Sequence, residues 1–189
     1  MPRFDIDSYR SNFQGGARQY LFYYKPVFPS NIGGGIGGGS DSGGTDVATY
    51  LVRTTSLPEI SMDEITLNWQ GFDYKMAGKY TYADWTVTFN VDVDAKVLQL
   101  FNNWATLIHD PTTNKFTLPR DYMVDQQVEL LDLAGAPIAK YKLFGAWPKM
   151  IGASTLDYSS NDVVQFDVTF TYIYHVTDLV KYGINPTFA

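Results

Sequence analysis

Few residues in this chain have types and spacing that could do chemistry, and the most suggestive are glycines. In "NIGGGIGGGSDSGGTD", residues 31 to 46, Gly33, Gly35 and Gly38 satisfy the G-x-G-x-x-G spacing of a dinucleotide-binding turn. Such a turn receives a pyrophosphate on backbone N–H groups, so a strand must lead into it and a helix must begin within it. The next residues, "VATYLVRTT", are rich in β-branched and aromatic types and read as a strand. No Lys-Ser or Lys-Thr pair comes after the glycines, as a P-loop requires. The stretch is expected to be a flexible hairpin tip joining the strands "RQYLFYYKPVF" and "VATYLVRTT".

The remaining candidates are weaker. His109 and His175 have no second histidine or carboxylate at a metal-ligand spacing. Asp92 and Asp94 could act as paired carboxylates, but Asp94 stands where it would cap a helix. Glu59, Asp63 and Glu64 cluster without the pattern of a calcium loop, and no G-x-S-x-G occurs. No catalytic residue, cofactor or metal is expected, and the chain is not read as an enzyme.

The composition bounds the rest. A length of 189 residues fits one domain, 1–189, with extended terminal arms, and 45% hydrophobic residues suffice for one core. No run approaches the ~18 apolar residues of a membrane helix, and "MPRFDIDSYRSNFQGG" lacks the apolar centre of a signal peptide. The absence of cysteine removes disulfides and fits assembly in a reducing cytoplasm. A net charge of −6 argues against gripping nucleic acid by its phosphates, yet suits a wall along which DNA slides. Aromatics reach 16%, with 14 Tyr and 12 Phe, an excess that favours half-wet places such as strands and subunit interfaces.

These residues must be positioned by strands. "DWTVTFNVDV", residues 84–93, puts Trp85, Val87, Phe89, Val91 and Val93 on one face and polar residues on the other. "VQFDVTFTYIYHV", residues 164–176, does the same with Val164, Phe166, Val168, Phe170, Tyr172 and Tyr174. Between them "DAKVLQLFNNWATLIHD" predicts one helix, capped by Asp94 and carrying Val97, Phe101, Trp104 and Ile108 on one face. "MVDQQVELLD" and "IAKYKLFGAWP" flank a turn at "LAGAP", and "EITLNWQ" and "FDYKMAG" pivot on Gly71. The expected fold is mainly β: an antiparallel barrel or sandwich with one flanking helix.

Three stretches, in order, carry a resemblance. "TTSLPEISMDEI", "YTYADWTVTFNVD" leading into a helix with "FNNW", and "FGAWPKMIGASTLDYSSNDVVQFDVTFTYIYHV" resemble the tail tube proteins of contractile-tailed, T-even-like bacteriophages. In the last of these a G-x-W-P turn is expected before a strand. The resemblance covers residues 20 to 176; the glycine-rich tip and the tail beyond Val176 depart from it. It implies a structural virion protein that forms hexameric rings stacked into a tube, assembled in the host cytoplasm. The implied partners are a tail sheath, a tape measure protein, baseplate and tail-terminator proteins, with DNA passing through the lumen without specific binding. No membrane insertion by the subunit is implied.

In that setting Thr86, Thr88, Asn90 and Asp92, or Gln165, Asp167, Thr169 and Thr171, are candidates to face the lumen. The segment from about Pro58 to Tyr82 mixes charges with Trp69, Phe72, Tyr74, Tyr80 and Tyr82, the candidates for contact between subunits. The alternatives are the inner tube of another contractile injection machine, type VI or extracellular, and a monomeric β-barrel that binds a small ligand.

Overall fold

The computed structural model describes residues 5–13, 16–32, 43–152, 154 and 156–179. The chain runs α1 (Ile6–Phe13), β1 (Phe22–Tyr24), α2 (Gly43–Leu51), β2 (Val52–Thr55), β3 (Ile60–Trp69), β4 (Phe72–Tyr82) and β5 (Trp85–Asn90). It continues through α3 (Lys96–Ile108), β6 (His109–Asp110), β7 (Lys115–Phe116), α4 (Pro119–Tyr122), β8 (Val124–Leu131), β9 (Pro137–Ile151), β10 (Gln165–Thr171) and β11 (Tyr174–Leu179).

Seven strands form one antiparallel sheet in the order β1-β8-β9-β10-β5-β2, with β11 also on β9. The first half of β9 pairs with β8 and β11, whereas its end pairs with β10. The change of partner falls near Gly145, whose φ of 63° only glycine adopts cheaply. A Cβ there would stand 2.8 Å from Ile173 Cδ1. One strand thus bends from one layer into the other, giving a sandwich rather than a closed barrel. Its seam lies between β1 and β2, the two ends of the path.

The core is where the two period-two strands meet the helix. Register places Phe166 beside Phe89, Val168 beside Val87 and Phe170 beside Trp85, all buried. Helix α3 covers that face with Val97, Leu100, Phe101 and Trp104. The Phe101 ring lies 5.1 Å from Phe89 and 6.0 Å from both Phe166 and Phe170. Polar groups within this core find partners: Trp104 Nε1 donates to the Tyr122 carbonyl at 2.9 Å. The buried Gln126 accepts from the Tyr24 hydroxyl and the Val27 N–H, and donates to the Val27 carbonyl. It clamps the chain after β1, where burial pushes the Tyr24 phenol far above its usual range.

Several sequence expectations are corrected. The described residues contain four helices, not one. "VATYLVRTT" splits: Val47–Leu51 belong to α2, and only Val52–Thr55 form a strand. The β-branched pattern is overridden because Ala48 sinks fully into the core from a helical turn. β1 and β2 pair with β8 and β5, not with each other, so the strands on either side of residues 31–46 are not the two arms of a hairpin. Gly33, Gly35 and Gly38 lie outside the described residues. A helix does come after them, but β1 ends at Tyr24, so no strand leads into the fingerprint.

Asp94 does not cap α3; it pairs with Lys96 at 2.8 Å, and the cap position is Ala95 in the left-handed region. β5 stops at Asn90, leaving Val93 exposed. The stretch 164–176 is two strands, since the chain crosses layers at Tyr172–Ile173, and Tyr174 emerges half exposed. "GAWP" is not a turn but part of continuous β9.

Candidate assembly surface

β3 and β4 form a two-stranded ribbon that no other strand among the described residues joins. The register closes on Trp69 opposite Phe72, and the two-residue turn has positive φ at both Gln70 (47°) and Gly71 (85°). Those angles are those of a type I′ turn, whose twist matches that of the strands it connects. Every residue of β3 is exposed, and in β4 only Gly78 and Tyr82 are half-buried.

The pairing shifts between Met62↔Tyr80 and Glu64↔Ala77, a bulge that sets two residues of β4 against one of β3. Gly78 sits in it, where a Cβ would press to 3.0 Å on the Asp63 carbonyl. Cross-strand partners share a face, so the register sorts the side chains. Beyond the bulge, Ile65, Leu67, Trp69, Phe72, Tyr74 and Met76 stand on one side. The other side is polar: Lys75 reaches Glu64 at 2.9 Å, and Asn68 donates to Asp73 at 3.0 Å. Before the bulge the apolar side chains change faces, with Ile60, Met62 and Tyr80 on the side that is polar further out.

The ribbon meets its own subunit at one aromatic joint. Tyr82 lies 5.3 Å from the His175 ring and 6.0 Å from Tyr172. The Ala83 N–H and the Tyr172 hydroxyl both reach the Glu59 carbonyl. Burial pushes Tyr172 up to about 12 and holds the His175 imidazole below its usual range. Of the predicted contact residues, Trp69, Phe72 and Tyr74 therefore share one exposed face, Tyr80 lies on the other, and Tyr82 is built into the joint.

The predicted lumen residues also come together. Thr86 pairs with Thr169, Thr88 with Asp167 and Asn90 with Gln165, all on the sheet face away from the core. Thr88 donates to Asp167 at 2.7 Å, and the Thr86 and Thr169 hydroxyls lie 3.2 Å apart. Thr171 continues the row by donating to Asp84, which also holds Lys149 at 2.6 Å. These two hydrogen bonds keep the Asp84 carboxyl below its usual range. Asp92 is separate: it lies past the end of β5, and its Oδ1 is buried without a hydrogen-bond partner among the described residues.

The polar candidates raised by the sequence stay apart. His109 stacks on Phe116 at 4.2 Å and contacts Asn114, far along the chain from the joint that holds His175. Glu64 is engaged by Lys75, and Glu59 contributes its backbone carbonyl.

A family model described as phage tail tube protein matches residues 19–178, which include the ribbon and both halves of the sandwich. The chain belongs to the phage tail tube protein family. It is 27% identical over 132 residues to the tail tube protein gp19 of Enterobacteria phage T4, covering 67% of this chain and 79% of that protein. The gp19 protein of phage T6 matches to the same extent.

Two solved structures share the fold. One is a chain of the baseplate of the anti-feeding prophage, with a TM-score of 0.61 at 15% identity, covering 87% of this chain and 97% of that one. The other comes from the sheath/tube terminator of the extracellular contractile injection system PVC, with a TM-score of 0.59 at 17% identity, covering 85% and 95%. The tail tube fold here thus has a sandwich body and a projecting ribbon. Sequence reasoning missed Ile65, Leu67 and Met76 on that ribbon, although their alternation with Thr66, Asn68 and Lys75 was visible.

Proposed function

We propose that this chain is the building block of the inner tail tube of a contractile-tailed phage, forming hexameric rings that stack into a conduit for DNA. The observation that carries the reading is the ribbon: large apolar side chains, among them Trp69 at 71% and Phe72 at 79% exposure, stand on a hairpin that buries almost nothing of its own subunit. A lone two-stranded hairpin is marginal in water, and such a patch marks an interaction surface. In this reading the ribbon mediates stacking between rings. The row from Thr86 to Thr171 faces the lumen, where hydroxyls and an acidic net charge offer DNA phosphate nothing to hold.

Sheath, tape measure, baseplate and terminator proteins are the partners this role requires, and the virion is its place after assembly in the host cytoplasm. The test is negative-stain microscopy of the purified chain with and without Trp69→Ala and Tyr74→Ala. Rings or tubes are expected for the wild type and loss of stacking for the variants. A wild-type chain that stays monomeric with its sheath and baseplate partners overturns the reading.

A further inference from the structure

The polar row of β5 and β10 ends in a cluster of three side chains from three strands. Asp84 stands just before β5, Thr171 closes β10, and Lys149 sits near the end of β9. The strand order brings them together, since β10 lies between β9 and β5. Register sets Thr169 against Met150 but Phe170 against Pro148, so Lys149 is the extra residue of a bulge. Bulges re-aim side chains. Lys149 and Met150 are both exposed here, while Pro148 stays buried. The bulge thus turns an ammonium towards the polar row.

We propose that Asp84 masks Lys149, so that this face presents no ammonium free to hold the phosphates of passing DNA. The proposal rests on the tube reading above and names the residue that keeps its wall from gripping nucleic acid. Lys149 Nζ donates to Asp84 Oδ2 at 2.6 Å, and the Thr171 hydroxyl donates to Oδ1. Both carboxylate oxygens are engaged, which fixes the carboxylate against the ammonium. The bond from Lys149, then that from Thr171, holds the Asp84 carboxyl below its usual range, so it is ionised at neutral pH.

Folding gains little from the pair. The Lys149 and Asp84 side chains are 55% and 39% exposed, and an ion pair so placed contributes weakly to stability. Its consequence is for the charge of the face. Thr86, Thr88 and Thr169 are neutral, and Asp167 repels phosphate. Arg53, across the sheet on β2, shares a cavity of about 880 Å³ with Asp157 and Asp162. Lys149 is thus the ammonium that loss of one carboxylate would release, once per subunit around every ring. A bare ammonium is a compact phosphate donor, and each phosphate it neutralises frees counterions and adds affinity.

Asp84→Asn keeps the side chain's shape and removes its charge. Wild type, Asp84→Asn, Lys149→Met and the double variant Asp84→Asn/Lys149→Met are assembled and sedimented with a short labelled DNA duplex at low salt. Retained DNA is counted per sedimented subunit. Asp84→Asn should retain about tenfold or more DNA than wild type, because a cation repeated along the tube meets many phosphates of one duplex. The slope of log K against log salt should steepen by about 0.9 for each phosphate neutralised. Lys149→Met and the double variant should retain as little as wild type.

Equal retention by Asp84→Asn and wild type overturns the mask. Equal retention by Asp84→Asn and the double variant also overturns it, since DNA then senses the lost carboxylate and not a released Lys149. Excess closed circular plasmid, which has no end to thread into a tube, separates the mask from the lumen. Failure of the plasmid to compete supports both. Full competition leaves the mask standing and overturns the lumen placement. Wild type that forms no tubes overturns the tube reading alone. Where a chain forms no tubes, the mask is read on soluble chains by fluorescence anisotropy with the same duplex. Tighter binding by Asp84→Asn than by wild type and the double variant supports the mask there, and equal binding overturns it.

Discussion

The sandwich and the ribbon use the same local pattern and meet opposite fates. In β5 and β10, aromatics alternate with polar residues, and Trp85, Phe89, Phe166 and Phe170 are all exposed by 3% or less. In β3 and β4 the alternation is equally regular, yet Trp69 is 71% exposed and Phe72 79%. What differs is the second layer. Helix α3 lies across β5 and β10, whereas among the described residues no helix or strand lies across β3 and β4 beyond the joint at Tyr82. Period-two patterning tells which face seeks burial, not whether the partner belongs to the same chain.

That contrast can be broken at its strong side first. Phe101→Ala removes the ring that touches Phe28, Phe89, Phe166 and Phe170. It should cost ~3–5 kcal/mol of subunit stability, read by urea unfolding. Trp69→Ala should do the opposite. The unfolding free energy of the isolated subunit should move by less than about 0.5 kcal/mol, as at an ordinary surface site. Assembly should lose ~2 kcal/mol or more, a rise of roughly 30-fold in the concentration at which tubes appear. If Trp69→Ala destabilises the isolated subunit as much as it weakens assembly, the ribbon is part of the core and the distinction fails.

Gln126→Met probes a polar feature of the body. It strands the Tyr24 hydroxyl and the Val27 N–H in a buried place, at a cost of about 1–3 kcal/mol. Its effect should appear in subunit unfolding and leave stacking per folded subunit unchanged.

The smallest effect belongs to the joint. Burial holds the folded His175 below its ordinary value of 6.5, so the unfolded chain takes up a proton there first as the pH falls. Stability is unaffected above about pH 6.5 and declines slightly below it, until the folded imidazole also titrates; the effect is small because His175 is only partly buried and solvent screens it. Comparing urea midpoints at pH 7 and pH 5 for wild type and His175→Asn checks it: the variant should lose this part of the acid sensitivity. An identical pH dependence in both would remove His175 from the joint's energetics.

Much of this was legible in the chain, and particular residues show why. Trp85, Val87 and Phe89 opposite Phe166, Val168 and Phe170 were readable because strand alternation is local geometry. Helix α3 was readable from Val97, Phe101 and Trp104, spaced for one face. The β3–β4 turn was readable from Gly71, since positive φ there is a property of glycine. Thr86, Thr88, Thr169 and Thr171 were correctly grouped into two polar rows by the same alternation.

The tertiary structure alone decided the rest. It made Val47–Leu51 helical, because Ala48 has to reach the core, and no window of sequence contains that core. It joined β1 and β2 to opposite ends of the sheet, since pairing partners are chosen by contacts far apart in the chain. It broke the run from Val164 to Val176 between two layers, because β9 bends at Gly145 and offers a separate half to each strand. It left the ribbon's aromatics uncovered for the same reason. Local chemistry sets which side chains leave water, and long-range packing sets what they leave it for.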